Sequence, residues 1–473
     1  MSGFSRAQNW EPWQYQLDSI KFMLEKGAAG MFLDPGLGKT SIALAAFTIL
    51  KEQGMARTML VIAPLRVCHM VWPAEASKWT MFQDLTIRVL HGRHKEQELA
   101  KPADVYVINP EGLNWLIGDV SQRNWNVLNS KLNIIKPDML VVDESTKFKK
   151  SNTQRFKTLK KVIPTFSRRY CLTGTPTPNG LMDLFGQIYI LDQGTALGAY
   201  ITHYRRSYFT KGYDGFSWEP QPQAFDEILE KIAPFVMRLE DKDWLELPEL
   251  VYNDIRVTLP EDVKNQYKEL EREFMVQIQD TEILAPSAAA LSMKLRQIVG
   301  GAMYDNEGEV IELHQEKVVA LKELHEQINH APLLVAYQFK HEIETIRKEF
   351  GDVPYIGSGV STKEANALCV GFNMGAIPML LAHPASVGHG LNLQGTSNHV
   401  AFYGVPWDLE HYLQLIRRVR RQGNKNSHVF VHHIVAQGTI ETAVMRALSG
   451  KDTNQESLLH YLKSYLHEEH ENG

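Results

Sequence analysis

Short apolar runs alternate with helical patterns twice along this chain. The first series is Met31–Leu33, Met59–Ala63, Val105–Ile108, Met139–Val142 and Tyr170–Leu172. The second is Leu333–Tyr337, Pro378–Ala382, His399–Phe402 and Val429–Val435. Runs of this kind with helices between them predict parallel strands buried on both faces, and two series predict two α/β lobes. Between the series, from Gly180 to Glu316, the sequence is charged and punctuated by Pro234, Pro248 and Pro260. That stretch reads as helical insertions plus a hinge. The expected division is 1–245 for the first lobe with one insertion, 246–316 for a second insertion and hinge, 317–450 for the second lobe, and 451–473 for a polar tail.

Length and composition agree with two lobes. A chain of 473 residues exceeds one ordinary core, and 44% apolar with 22% charged residues is the balance of a globular protein. No apolar run reaches the roughly 18 residues a membrane span needs, and Met1–Asn9 lacks a secretory layout, so no membrane association is expected. Cys68, Cys171 and Cys369 lie far apart with no CxxC pair, which suits a reducing cytoplasm. Charge is uneven. Ser145 to Arg169 holds nine Lys or Arg and no acid; removing those nine from a net −5 leaves −14 for the rest. A local basic stretch on an acidic body suits either a groove touching phosphates or a solvated helix face.

Chemistry enters at Asp34-Pro35-Gly36-Leu37-Gly38-Lys39-Thr40, which follows a short strand and opens a helical pattern through Leu50. Gly36 and Gly38 let the backbone wrap phosphates, and the helix N-terminus presents free N–H groups to negative charge. Lys39 would pair with the β and γ phosphates and Thr40 would ligate magnesium. Leu33 stands where the usual pattern has its first glycine. The run Met139–Val142 ends in Asp143-Glu144, so one carboxylate can reach magnesium while Glu144 polarises the attacking water. Over Asp408 to Gln422, Leu409, Tyr412, Leu413, Ile416 and Val419 share one helical face, and Gln414, Arg418 and Arg421 form a stripe opposite. Arg418 and Arg421 are thus candidate arginine fingers, with Arg417 and Arg420 flanking them.

With these pieces in order, the chain resembles the Swi/Snf-related branch of the superfamily-two helicase-like ATPases from about Trp10 to Leu448, most closely its compact bacteriophage and bacterial members. Pro12-Trp13-Gln14-Tyr15-Gln16 looks like the adenine-reading motif, with Gln16 as its glutamine. Ala63-Pro64, followed by Trp72, Glu75 and Trp79, is similar to a segment that contacts one DNA strand, and Asn109-Pro110-Glu111-Gly112 to a further strand-contacting loop. Asp143-Glu144-Ser145-Thr146 stands at the DExH position, with Ser and Thr replacing the usual small residue and histidine. Leu172-Thr173-Gly174-Thr175-Pro176 is close to the motif that links hydrolysis to DNA movement, and Lys294-Leu295-Arg296-Gln297 to an element of the second insertion. Gly388-His389-Gly390-Leu391-Asn392-Leu393 and Gln414 through Gly423 match the last motifs, with Gly390 facing nucleotide, Asn392 and Gln414 in coupling, and Arg418 and Arg421 as fingers.

The resemblance implies two RecA-like lobes that use ATP and Mg2+ to move along double-stranded DNA, usually without separating strands. It implies ATP clamped between Lys39 and the two fingers, a monomer, and a protein partner that supplies targeting, in a bacterial host's cytoplasm if the chain is of phage origin. A strand-separating helicase and an ATP-gated DNA clamp are the alternatives. Other signals are set aside. His467 and His470 lack the spacing of a zinc-protease helix, and His432 and His433 are strand neighbours that face opposite ways. Trp10 and Trp13 fit packing better than stacking on adenine, and Gly36-Leu37-Gly38 lacks the third glycine of a dinucleotide fingerprint.

Overall fold

The computed structural model describes residues 8–177, 180–212, 218–240, 247–279, 285–305, 307–387, 391–421 and 423–449. The chain divides into two compact units, Met1–Leu245 and Glu246–Gly473. Each has its own parallel sheet and its own apolar core. Among the described residues no helix is long and apolar enough to cross a membrane.

The first unit is built on β1 (Ala28–Leu33), β2 (Met59–Ile62), β3 (Ile87–Val89), β4 (Val105–Ile108), β5 (Met139–Asp143) and β6 (Arg168–Thr173). A small antiparallel hairpin, β7 (Phe209–Lys211) and β8 (Trp218–Pro220), stands apart, and β9 (Val236–Leu239) completes the sheet. The order is β3-β4-β2-β5-β6-β1-β9 with every neighbouring pair parallel. Strands β2, β4 and β5 are buried at every position. Helices cover both faces, so these strands read as continuous apolar runs rather than alternating ones. The helices that matter for the site are α1 (Gln14–Glu25), α2 (Lys39–Glu52), α3 (Trp72–Lys78), α4 (Gln154–Val162) and α5 (Leu184–Asp192). Because the strands are parallel, the loops after β1, β5 and β6 all open at one edge.

The second unit holds β10 (Glu249–Val257), a hairpin of β11 (Ala302–Tyr304) and β12 (Val310–Glu312), then β13 (Leu333–Ala336), β14 (Tyr355–Ile356), β15 (Met379–Ala382), β16 (His399–Phe402) and β17 (His428–Ala436). Its sheet runs β10-β17-β16-β13-β15-β14, again parallel throughout. Helices α6 (Glu261–Gln279), α7 (Ala285–Val299), α8 (Glu316–Gln327), α9 (Leu409–Val419) and α10 (Ile440–Ser449) accompany it.

The stretch read as helical insertions and hinge needs a correction. It contributes an edge strand to each sheet: β9 beside β1, and the nine-residue β10 beside β17. Each carries only a short apolar run, Phe235-Val236-Met237 leading into β9 and Leu250-Val251-Tyr252 in β10, set among charged residues, as suits an edge strand half in water; most of β10 is exposed. Pro248 and Pro260 bracket β10 rather than interrupt it, as expected for a residue that cannot donate to a ladder.

Candidate functional site

The turn after β1 curls as its glycines require. Gly36 and Gly38 have φ of 96° and 79°, the left-handed region, and Gly38 is the N-cap of α2. Lys39 folds back into this turn, donating from Nζ to the carbonyl oxygens of Leu33 at 2.7 Å and Asp34 at 3.3 Å. Gln16 is buried against the same turn, its Nε2 donating to Leu37 O at 3.3 Å and its Oε1 accepting from Trp13 N. Trp10 packs on Phe82 with ring centroids 5.3 Å apart, whereas Trp13 is 56% exposed.

At the end of β5, Asp143 is buried and burial pushes its carboxyl up to about 6, with neighbouring Glu144 adding to the rise. Lys39 and the Trp72 N–H oppose that rise. Trp72 Nε1 donates to Asp143 Oδ2 at 3.1 Å, and Glu144 N donates to Asp143 Oδ1 at the same distance. Glu144 itself has φ 52°, unusual for a residue with a side chain, so the backbone is held in a sparsely populated conformation at the acid pair. The C-terminal edge of one sheet therefore gathers a lysine, a helix N-terminus and a carboxylate pair. An oxygen-rich donor set beside Thr40 at a helix start fits Mg2+ and phosphate.

Two further groups brace this edge. Glu75 Oε1 accepts from Ser41 Oγ at 2.5 Å and from Trp79 Nε1 at 2.7 Å, joining α3 to α2. Trp72 and Glu75 therefore face the phosphate loop and acid pair. Their similarity to a strand-contacting segment gave no hint of that inward role. Arg238, on β9, reaches over the end of β1: its Nη1 lies 3.4 Å from Asp34 Oδ1 and donates to Gly174 O at 3.2 Å. Gly174 lies so close to Pro35 that an added Cβ would sit 2.7 Å from Pro35 Cδ. The turn after β6 thus packs on the phosphate loop, and Thr173 Oγ1 accepts from Thr175 N within it.

Residues 15–303 match the model of the SNF2-related domain, and residues 316–423 that of the helicase conserved C-terminal domain. This chain belongs to the SNF2-related family. It is 33% identical over 474 residues to protein p41 of Acyrthosiphon pisum secondary endosymbiont phage 1, covering 96% of this chain and 99% of p41. An uncharacterized ATP-dependent helicase of Mycoplasma genitalium is 26% identical over 96% of this chain, which spans only 43% of that longer protein. Among solved structures, a Sulfolobus solfataricus SWI2/SNF2 ATPase core in complex with dsDNA is 21% identical, with 93% of each chain covered and a TM-score of 0.43.

As a member of the SNF2-related family the chain is an enzyme of the nucleic-acid-dependent ATPase class, built on two RecA-like lobes. In the second lobe of this SNF2-related chain, Asp408 caps α9 by accepting from Glu410 N and His411 N. The helix stops at Val419, earlier than the apolar pattern predicts, because Arg420 leaves the helical region at ψ 84°. The stripe of Gln414, Arg418 and Arg421 is not an open face. Gln414 and Arg418 are buried, 4% and 8% exposed, and Arg421 lies beyond the helix. Arg418 Nη1 donates to Leu391 O at 3.4 Å, and Arg421 Nη1 donates to the side chain of exposed Asn392. Leu415, absent from the expected face, is fully buried instead. The structure therefore brings Arg418, Arg421 and Asn392 together, while Gly390 lies outside the described residues, as does the tail from 450.

Other expected contacts are engaged locally. Pro64 is buried at the N-cap of a short helix, Leu65–Met70, and Asn109 Nδ2 donates to Glu111 at 2.8 Å. In the basic stretch, Arg168 and Arg169 bond backbone carbonyls, Lys149 pairs with Asp183, and Lys160 lies over the Tyr189 ring. Lys150, Lys157 and Lys161 stay exposed. His432 bonds His399 and Asn253 while His433 bonds Tyr412 and Asp254, so the two imidazoles do face opposite ways. Arg296 of α7 serves packing, donating to Val405 O at 3.0 Å and lying against the Phe339 and Trp407 rings.

Proposed function

We propose that this chain is an ATP-driven translocase on double-stranded DNA that displaces or remodels proteins bound there, acting in the cytoplasm of a bacterial host. The observation that carries the reading is the gathering of Lys39, the α2 N-terminus and the Asp143-Glu144 pair at one sheet edge, with the Thr173–Thr175 turn packed against it. Similarity to a phage protein along nearly the whole length supports the setting.

The residues divide the work by chemistry. Backbone N–H groups around Gly36 and Gly38 cradle phosphate oxygens, and Lys39 leaves its carbonyl partners to pair with the β and γ phosphates. Gln16, already against Leu37, reads the adenine. Thr40 and Asp143 would hold magnesium, which when bound neutralises charge on the phosphate oxygens. Glu144 orients a water and takes its proton as the water oxygen bonds to the γ phosphorus and the bond to the ADP oxygen breaks. Arg418 and Arg421 are assigned to the charge that develops on the transferred group. Pro64, Asn109, Thr173, Thr175, Asn392 and Gln414 are assigned to DNA contact and to coupling.

A triplex-forming strand bound to duplex DNA tests travel directly. ATP should release the strand, while ADP, or Lys39→Ala with ATP, should not. ATP turnover with no release would leave an ATP-gated clamp, and opening of a forked duplex would favour a strand-separating helicase.

A further inference from the structure

Helix α5 carries one amide in an otherwise apolar run, Leu184-Phe-Gly-Gln-Ile-Tyr-Ile-Leu191. Gln187 is fully buried, and so is Ser145, which follows the acid pair directly. A buried amide costs stability unless its polar atoms are matched, so an apolar residue would serve here if packing were the only demand. Gln187 is matched on both sides. Its Oε1 accepts from Ser145 Oγ at 2.6 Å, and its Nε2 donates to Pro176 O at 2.6 Å and to Asp183 O at 2.9 Å. One side chain thereby joins the residue after Glu144 to the segment that continues the Thr173–Thr175 turn.

Two other contacts hold α5 against the acid motif. Lys149 Nζ pairs with Asp183 Oδ2 at 3.2 Å, with both side chains largely buried. Gly186 approaches so closely that an added Cβ would lie 2.1 Å from Phe148 O. The short turn Ser145–Phe148, the start of α5 and the segment around Pro176 are therefore one bonded assembly. Ser145 and Thr146 stand where the resembled motif usually has a small residue and a histidine, and it is the Ser145 hydroxyl that meets Gln187.

We propose that Gln187 is a positioning residue that, through Ser145 and Pro176, makes the acid pair and the Thr173–Thr175 turn respond together when duplex DNA stimulates ATP hydrolysis. The inference rests on the reading of Glu144 as the base and of that turn as a coupling element. It adds a named relay between them.

The test uses the full chain and three variants: Gln187→Leu, Ser145→Ala and the two combined. Each single change leaves one member of the Ser145–Gln187 bond without its mate, whereas the double change removes both members together, and thermal melting confirms that each variant folds. The readout is the ratio of kcat with duplex DNA to kcat without it, beside KM for ATP. The relay predicts that either single change lowers this ratio by about fivefold or more while KM moves less than about twofold, and that the double lowers it no further than the worse single. A purely structural role would lower both turnovers by one factor and leave the ratio intact, which would overturn the relay. Additive losses in the double would overturn it too. If the unmodified chain shows no stimulation by duplex DNA, the translocase reading falls and takes the relay with it. Stimulation in the parent that survives in all three variants removes the relay alone.

Discussion

Trp72 Nε1 donates a 3.1 Å hydrogen bond to Asp143 Oδ2 from a side chain that is fully buried. The indole comes from α3, the helix that also holds Ser41 of α2 through Glu75. A short helix between two sheet connections thus fixes the carboxylate assigned to magnesium. Groups that orient a metal ligand typically change affinity when removed.

Trp72→Phe keeps an aromatic ring, though a smaller one, and deletes the N–H. The magnesium concentration giving half-maximal ATP turnover should rise by about tenfold, in the range seen when such a supporting bond is lost. A titration of turnover against Mg2+ at saturating ATP checks this, and an unchanged midpoint would refute it.

Lys39 is the single ammonium inside the turn after β1, and Glu144 is the carboxylate beside Asp143. Lys39→Ala should weaken ATP binding and stop turnover. Glu144→Gln should bind ATP yet lose turnover by about a hundredfold or more, because only proton acceptance is removed. Equilibrium binding of a fluorescent ATP analogue separates the two effects.

Arg238 ties Asp34 to Gly174 across the end of β1. Arg238→Met should raise KM for ATP several-fold, as the turn loses its external brace. Gly174→Ala should do at least as much, since its Cβ would meet Pro35 Cδ at 2.7 Å. Steady-state kinetics on both variants, with thermal melting to confirm folding, provides the check.

In the second unit Lys317, 1% exposed, donates to Tyr403 O at 2.8 Å and to Glu441 Oε1 at 2.5 Å. Glu441 Oε2 also accepts from Ala436 N. Lys317→Met leaves a buried carboxylate without its cation and should cost about 3–5 kcal/mol in urea denaturation. Changing both residues to apolar ones should recover much of that loss.

Acid should loosen the same unit through its histidines. Burial pushes His341 down to about 4 from 6.5, and neither ring nitrogen has a hydrogen-bond partner among the described residues. Burial, with His399 and His433 nearby, pushes His432 to about 4 as well. Between pH 6.5 and about 4 the unfolded chain binds protons that the folded one refuses, so stability falls as pH falls through that window. Each histidine contributes up to about 3 kcal/mol to this loss. His341→Leu should flatten the dependence, measured as denaturation midpoint against pH.

Much of this was legible in the chain. Every predicted strand in the two series is present, because buried parallel strands need unbroken apolar runs that stand out from their surroundings. The phosphate turn was legible from Gly36, Gly38 and Lys39, whose chemistry is local. What escaped was nonlocal. Strands β9 and β10 lie at sheet edges, and their short apolar runs are set in a charged stretch, so Arg238 looked like one more charge among helices. Trp72 stood in a recognisable segment, yet the direction of its ring depends on where α3 packs. Gln187 had a signal, an amide inside an apolar helix, but its meaning required Ser145 and Pro176 to be brought beside it. The amphipathic pattern over Asp408 to Gln422 marks the helix Leu409–Val419, but it cannot show that Arg418 is buried and bonded to Leu391 O.

The most direct measurement is ATP turnover by the full chain at one low salt concentration, first alone and then with duplex DNA, single-stranded DNA or RNA. Strong stimulation by duplex DNA, abolished in Lys39→Ala, is the predicted result. Stimulation by single strands or RNA in preference to duplex, or by none of the three, would contradict the translocase assignment.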